Sequence, residues 1–370
     1  MRKAVNVVIF EGGNPEGRTE KILADVRHAV LLDNINKMKK VQQIGSIYLL
    51  TNYSELAAEV SSMGVTVWEN QRSREDFHFG KVLQELINSE RLENILYVGG
   101  ASIPFVTVAE LEAICEQLQE EAKIVYSNNA QSADIIAFTP ASLINSIKPP
   151  AMDNILAIEL RDNSGIEMKL FQNTLGLLFD LDTPADLLVL AGSPFTGPLA
   201  SQKIKALKLD LSRLEGAKEV LRGDYEEIVL LGRVGAPLIA HINKNIKARL
   251  RIFSEERGMK ALGREERGEV TSLMGYFLEE VGPEKFIDYI EKIARCAFLD
   301  TRVLMAHFRM NLTPEERFLS DLGMWEELSN PLMSDFTRAV MGSEIPVLCG
   351  GHSLVLGALW ALVEEIGPTY

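Results

Sequence analysis

The segment Asp180-Leu181-Asp182-Thr183-Pro184-Ala185-Asp186-Leu187 gathers three carboxylates around what reads as a helix start. Thr183 suits the N-cap, Pro184 suits the first helical position, and Asp186 then falls in the first turn, where negative charge is favoured. Asp182 is expected at the C-terminal edge of a sheet, where α/β folds bind ligands, and a carboxylate there can hold Mg²⁺ against nucleotide phosphates. A well-capped helix with no ligand is the plainer reading of the same residues. A second group follows the first apolar run, in Ile9-Phe10-Glu11-Gly12-Gly13-Asn14-Pro15-Glu16-Gly17-Arg18-Thr19-Glu20-Lys21. Gly12 and Gly13 let backbone N–H groups approach phosphates, and Arg18 and Lys21 can neutralise phosphate charge.

These residues need elements to position them, and the pattern supplies them. Short β-branched runs at Val5–Phe10, Ser46–Thr51, Val65–Trp68, Asn94–Val98 and Lys123–Tyr126 alternate with helical patterns at Val26–Val41, Ser54–Met63, Gly80–Ser89 and Val108–Glu121. Such alternation predicts βαβ units and a mainly parallel sheet with helices on both faces. Beyond Asn128 the pattern predicts strands at Asp134–Phe138, Asn154–Leu160 and Gly176–Leu181 and a short helix near Ala141–Ile147, an excursion able to add antiparallel edge strands. The turn-rich Gly192–Pro198 predicts a boundary, giving a first domain over 1–195 and a second, helix-rich α/β domain over 205–370. In that second domain Glu227–Leu231, Arg249–Phe253, Arg302–Met305 and Pro346–Cys349 read as strands, and Glu269–Val281, Pro283–Cys296 and Leu354–Glu365 as helices.

Several polar groups in the second half sit where ligands are commonly met. Arg233-Val234-Gly235-Ala236-Pro237 opens a helix after a strand, and Gly350-Gly351-His352-Ser353 forms a strand-to-helix turn like an anion-binding nest. Ser254–Met259 follows a strand, and the run Lys244–Arg251 reads as a solvated basic face. His307 and His352 read as hydrogen-bonded structural histidines.

The segment Asp180–Leu187 resembles the Asp-Thr-Pro-Glu-Asp-Leu motif that ends the catalytic domain of many nucleotidyltransferases, with Ala185 in place of the Glu. The families concerned are the molybdenum-cofactor cytidylyltransferases, the phospholactate guanylyltransferases and the CMP-KDO synthetases. Leu96–Thr107 is similar to their strand and loop of the form Gly-Asp-x-Pro-Phe-Val-Thr, with Ser102 where the main metal-binding Asp stands. The first loop resembles their Gly-rich phosphate loop, and Gly80 falls where they place a glycine-led helix beside the nucleotide. The resemblance covers about the first 190 residues and implies a Rossmann-like three-layer α/β/α fold. It implies transfer of an NMP from an NTP to a small cofactor precursor or sugar phosphate, with pyrophosphate released and Mg²⁺ on Asp182. Asp180 would stand beside Asp182 as a second metal ligand, and Ser102 would touch a phosphate or a bound water. Ser102 for Asp also motivates a second reading, a nucleotide-binding or regulatory protein that has lost catalysis. The Asp180-x-Asp182 pair suits a third, a GT-A-like glycosyltransferase using a sugar nucleotide.

Composition sets the outer limits. The chain of 370 residues carries 38 basic and 52 acidic residues, net −14, which argues against nucleic acid or an anionic membrane as main partner and favours an NTP and a small-molecule acceptor. Cys115, Cys296 and Cys349 are widely spaced and odd in number, which points to a reducing cytoplasm rather than a disulfide framework. The apolar run at Val5–Phe10 is too short for a signal peptide, and Ile345–Val363 is broken by Gly350-Gly351-His352-Ser353, so no membrane span is expected. The second domain is expected to bind the acceptor or to support assembly, a homo-oligomer being compatible with either.

Overall fold

Side chains of a strand alternate between two faces, and in β1 (Val5–Glu11) that alternation feeds two separate apolar clusters. Val5, Val7 and Ile9 pack with Leu31 and Ile35 of the helix Arg18–Met38 and with Ile114 and Leu118 of the helix Val108–Glu120. Val8 enters the other cluster, with Leu83 and Leu86 of the helix Phe79–Ser89 and Leu156 and Leu160 of the helix Leu156–Asn163. The result is a Rossmann-like three-layer α/β/α arrangement. This computed structural model describes residues 3–68, 77–130 and 133–369, so Met1 and Arg2 of the basic N-terminus lie outside the described residues. The chain divides into two compact units: Met1–Asn14 with Arg27–Leu177, and Pro15–Val26 with Leu178–Tyr370.

The first unit is built on seven strands. They are β1, β2 (Ile44–Thr51), β3 (Thr66–Val67), β4 (Asn94–Gly99), β5 (Ile124–Ser127), β6 (Ile135–Thr139) and β7 (Met168–Leu170), in the order β3-β2-β1-β4-β6-β5-β7. β1 pairs in parallel with β2 and with β4, so the order reverses between β1 and β4. β6 runs antiparallel to both its neighbours and lies inside the sheet, whereas the sequence pattern placed antiparallel strands at an edge. The second unit holds four parallel strands, β8 (Glu226–Gly232), β9 (Ala248–Ser254), β10 (Cys296–Asp300) and β11 (Val347–Gly350), in the order β11-β10-β8-β9. Helices at Leu273–Val281, Pro283–Ile293 and Pro331–Gly342 bury Leu278, Phe286 and Phe336 against Val229, Leu231, Ala297 and Leu299 of its strands.

Three strand expectations fail for one physical reason. A short apolar run has no decisive period, so length and neighbours decide its state. Asn154–Leu160 is helical, with Leu156, Ala157 and Leu160 buried at helical spacing. Gly176–Leu181 overlaps the helical turn Leu175–Leu178 and continues as chain outside the sheet. Arg302–Met305 lies in the helix Thr301–His307, the strand having ended at Asp300. The first helix also starts at Arg18, eight residues before the expected Val26. Its added turn has an external cap: both Glu315 carboxylate oxygens accept from the Thr19 N–H at 3.0 Å, and Oε2 accepts from the Glu20 N–H at 3.0 Å. Among the described residues no helix is long and apolar enough to cross a membrane.

Candidate functional site

Where the strand order of a parallel sheet reverses, the loops leaving the two strands part and open a crevice at their carboxyl ends. In the first unit this point lies between β1 and β4, and a cavity of about 690 Å³ opens there. Its walls are aromatic. Phe10 lies next to the end of β1, Tyr97 lies on β4 and Phe79 starts a helix, with ring centroids 4.9–5.9 Å apart and edge-to-face packing. Trp68 and the half-exposed Phe77 complete the ring-lined wall.

Among the described residues two carboxylates, Glu11 and Asp153, face this cavity, and the oxygens of both accept hydrogen bonds. Glu11, 3% exposed, takes Arg27 in a fork, Nε donating to Oε1 at 3.1 Å and Nη2 to Oε2 at 2.9 Å. Gly100 leaves the space this carboxylate fills: a Cβ there would lie 1.8 Å from Glu11 Oε2, and its φ of +31° also favours glycine. Asp153 accepts from the Tyr97 hydroxyl at 2.9 Å through Oδ2 and from the Asn154 N–H at 2.9 Å through Oδ1. Burial, then the Asp153 charge, holds the Tyr97 phenol well above its usual value, so it stays a donor. Among the described residues, no group of three or more His, Cys, Asp or Glu is placed to hold a metal ion.

Of the residues singled out in the sequence, Gly12 and Gly13 line this cavity. The Gly13 N–H donates to Asn52 Oδ1 at 2.9 Å and the Asn52 amide donates back to Gly13 O at 2.9 Å, so that N–H is committed to protein. Gly80 is buried at a helix start, donates its N–H to Pro150 O at 2.9 Å, and would put a Cβ 2.5 Å from Pro150 Cδ. Packing accounts for that glycine. Ser102 is 2% exposed, donates its N–H to Gly99 O at 2.8 Å and accepts from Asn34 Nδ2 at 3.0 Å through its carbonyl. Its hydroxyl is buried without a partner among the described residues and does not line the cavity.

The other four belong to the second unit. Arg18 is exposed, 3.7 Å from Glu327, and Lys21 is exposed on the same helix. Asp180 Oδ1 accepts from the Leu181 N–H at 2.8 Å, and Asp182 presents an exposed side chain just before the helix Pro184–Gly192. The expected cap is present there. Asp186 Oδ2 accepts from the Thr183 N–H at 2.8 Å, from the Thr183 hydroxyl at 2.9 Å and from the Asp182 N–H at 3.2 Å. Burial, reinforced by the charge of Asp182, pushes the Asp186 carboxyl up to about 7. The turn Gly350–Ser353 lies against this segment, the Ser353 hydroxyl donating to Asp180 O at 2.8 Å. Burial, then the charge of Arg233, pushes His352 down to about 4, so it is neutral at pH 7. His307 is structural, its Nδ1 accepting from the Ser272 N–H at 3.1 Å.

Two further ion pairs are buried in this unit. Arg233 donates to Asp300 at 2.6 and 3.0 Å, and Arg302 to Asp321 at 2.9 and 2.5 Å. The sequence pattern places Arg302 on a strand and does not pair Glu11 with Arg27. The available signal was a strand-ending acid 16 residues before a basic residue within one βα unit.

The chain is similar, over about half its length, to solved nucleotidyltransferase structures. A putative nucleotide-diphospho-sugar transferase from Desulfovibrio desulfuricans shares 12% identity, with 56% of this chain and 100% of that one covered and a TM-score of 0.39. A cytidylyltransferase from Leptospira borgpetersenii shares 12%, covering 56% and 94%, with a TM-score of 0.39. A nucleotidyl transferase from Methanothermobacter shares 15%, covering 55% and 99%, with a TM-score of 0.40. No family model and no curated protein matches the sequence.

Proposed function

We propose that the first unit binds a nucleotide by its nucleoside end, as a binding unit that does not itself drive metal-assisted transfer. The aromatic cavity at the reversal of strand order carries this reading: Phe10, Trp68, Phe77, Phe79 and Tyr97 offer ring faces and edges to a base. Asn52 and the backbone of Gly12 supply polar groups on the wall for orientation. Among the described residues the lining includes no Lys, Arg or His, and Arg27, beside it, is held by Glu11. The described lining thus suits recognition of the base and sugar.

Calorimetry on the whole chain with ATP, CTP, GTP and UTP, with and without Mg²⁺, tests the reading. Binding of one or more nucleotides is expected to be indifferent to Mg²⁺ and to weaken about tenfold in Trp68→Ala, because one base–aromatic stack contributes about 1–3 kcal/mol. Absence of binding by all four nucleotides would sink it.

A second reading is nucleotidyl transfer to a small phosphate-bearing acceptor. The exposed carboxylate of Asp182 favours it, with Asp180 two residues earlier and Arg18 and Lys21 as phosphate partners in the second unit. Mg²⁺-dependent pyrophosphate release that disappears in Asp182→Ala would establish this reading in place of the first.

A further inference from the structure

Arg317, on the helix Pro314–Asp321 of the second unit, is half-buried, and its side chain makes no hydrogen bond or ion pair with a described residue. Its Nε is sealed from solvent without a partner. Burial, and after it the charge of Arg302, pushes the guanidinium below its ordinary value. Arg317 lines a cavity of about 330 Å³ together with Arg302, Arg309, Asn311, Glu265 and Glu266. The Arg302 charge is already met by Asp321 in a two-point pair. The Arg309 side chain gives one hydrogen bond, from Nη2 to Gly268 O at 3.2 Å, and no ion pair with a described residue.

The backbone at Arg309 also calls for an explanation. It follows the helix Thr301–His307 with φ +50°, its N–H donating to Ala306 O and the next N–H, of Met310, donating to Met305 O. Glycine is the usual residue at such a helix end, so an arginine is held here at a conformational cost. Arg309 is exposed, and the charges of Glu265, Asp321 and Glu20 act on Arg317 without an ion pair to it, so a half-buried guanidinium is left with donors that an anionic ligand can use.

We propose that this cavity binds a small phosphate-bearing molecule, its phosphoryl oxygens accepting from Arg317 and Arg309. A phosphate monoester brings nearly two negative charges and three acceptor oxygens, which suits two guanidinium groups without ion pairs better than the single charge of a carboxylate. The volume equals that of about ten waters in the liquid, so the ligand is small. Glu265 and Glu266 make no ion pair with a described residue and can accept from hydroxyl or ammonium groups of the same ligand. The site is made of second-unit residues alone and does not rest on the nucleotide cavity.

The test is calorimetry and thermal unfolding of the whole chain with inorganic phosphate, with malonate as a dicarboxylate of similar charge, and with chloride at matched ionic strength. Phosphate is expected to bind and to raise Tm more than malonate or chloride does. Arg317→Gln and Arg309→Gly should each weaken phosphate at least tenfold, and Arg309→Gly should fold as well as the parent because glycine suits that backbone. Trp68→Ala should leave phosphate binding unchanged. Phosphate that fails to bind, that binds equally to the parent and both variants, or that binds no better than malonate overturns the proposal.

Discussion

The buried acid at the start of the helix Pro184–Gly192 makes the stability of the second unit depend on pH in an unusual direction. The Asp186 carboxyl stands at about 7 in the folded chain against 3.8 for an ordinary aspartate. Between those values the folded state keeps a proton that the unfolded state has released, so raising the pH favours unfolding. The loss begins near pH 4 and levels off above about pH 7. Three pK units at about 1.36 kcal/mol each set a total of about 4 kcal/mol, of which about 2.5 kcal/mol falls between pH 5 and pH 8. Asp186→Asn abolishes the titration and keeps an amide oxygen to accept from the Thr183 N–H and hydroxyl, the two bonds that form the cap. Urea unfolding at pH 5, 6, 7 and 8, followed by the fluorescence of Trp325 and Trp360 in the second unit, measures the difference between the two proteins. The chain's net charge of −14 adds a pH dependence of its own, which is nearly the same in both and largely cancels. The variant should gain on the parent steadily as pH rises and be the more stable protein at pH 8. A difference that stays constant from pH 5 to 8, or a variant less stable at pH 8, would refute the reasoning.

Other perturbations follow from single contacts. Glu315→Ala leaves the Thr19 and Glu20 N–H groups without their acceptor and should destabilise the second unit by about 1–2 kcal/mol, with faster amide exchange at those two residues. Gly80→Ala would set a Cβ 2.5–2.7 Å from three Pro150 atoms, so a cost of about 1–3 kcal/mol is expected in thermal unfolding. Burial pushes the Cys115 and Cys296 thiols up to about 12 and Cys349 higher still, so none should react with a thiol reagent at pH 8 until urea unfolds the chain. Prompt labelling of any of the three in the native protein would contradict their burial.

What could be read from the sequence was what is decided within a few residues. The alternation of Val5, Val7 and Ile9 against Val8 fixes two faces of a strand, and Thr183-Pro184 with Asp186 fixes a helix start, because a capping box closes over three positions. The features that shape the candidate sites close over longer distances. Glu11 meets Arg27 16 residues on, Arg302 meets Asp321 19 residues on, and Glu315 caps a helix 296 residues before it. No local period announces such pairs, and the aromatic wall draws on β1, β4 and the segments around Trp68 and Phe79.

Ser102 shows the gap most clearly. Its place in a strand-and-loop motif put it at the right station along the chain, but station does not fix direction. Gly100 at φ +31° and Ile103 at φ +58° turn the loop back on itself, and Asn34 and Lys37 hold it from the helix, donating to the carbonyls of Ser102 and Pro104 at 3.0 and 2.7 Å. The hydroxyl is buried and does not line the cavity. Restoring the carboxylate of the motif, Ser102→Asp, would thus bury a charge without a partner. It should destabilise the first unit by several kcal/mol or raise the new carboxyl well above the usual range. If Ser102→Asp instead folded like the parent and conferred Mg²⁺-dependent pyrophosphate release, the loop would have to present this side chain to the ligand, and the assignment of the first unit as a binding unit would fall.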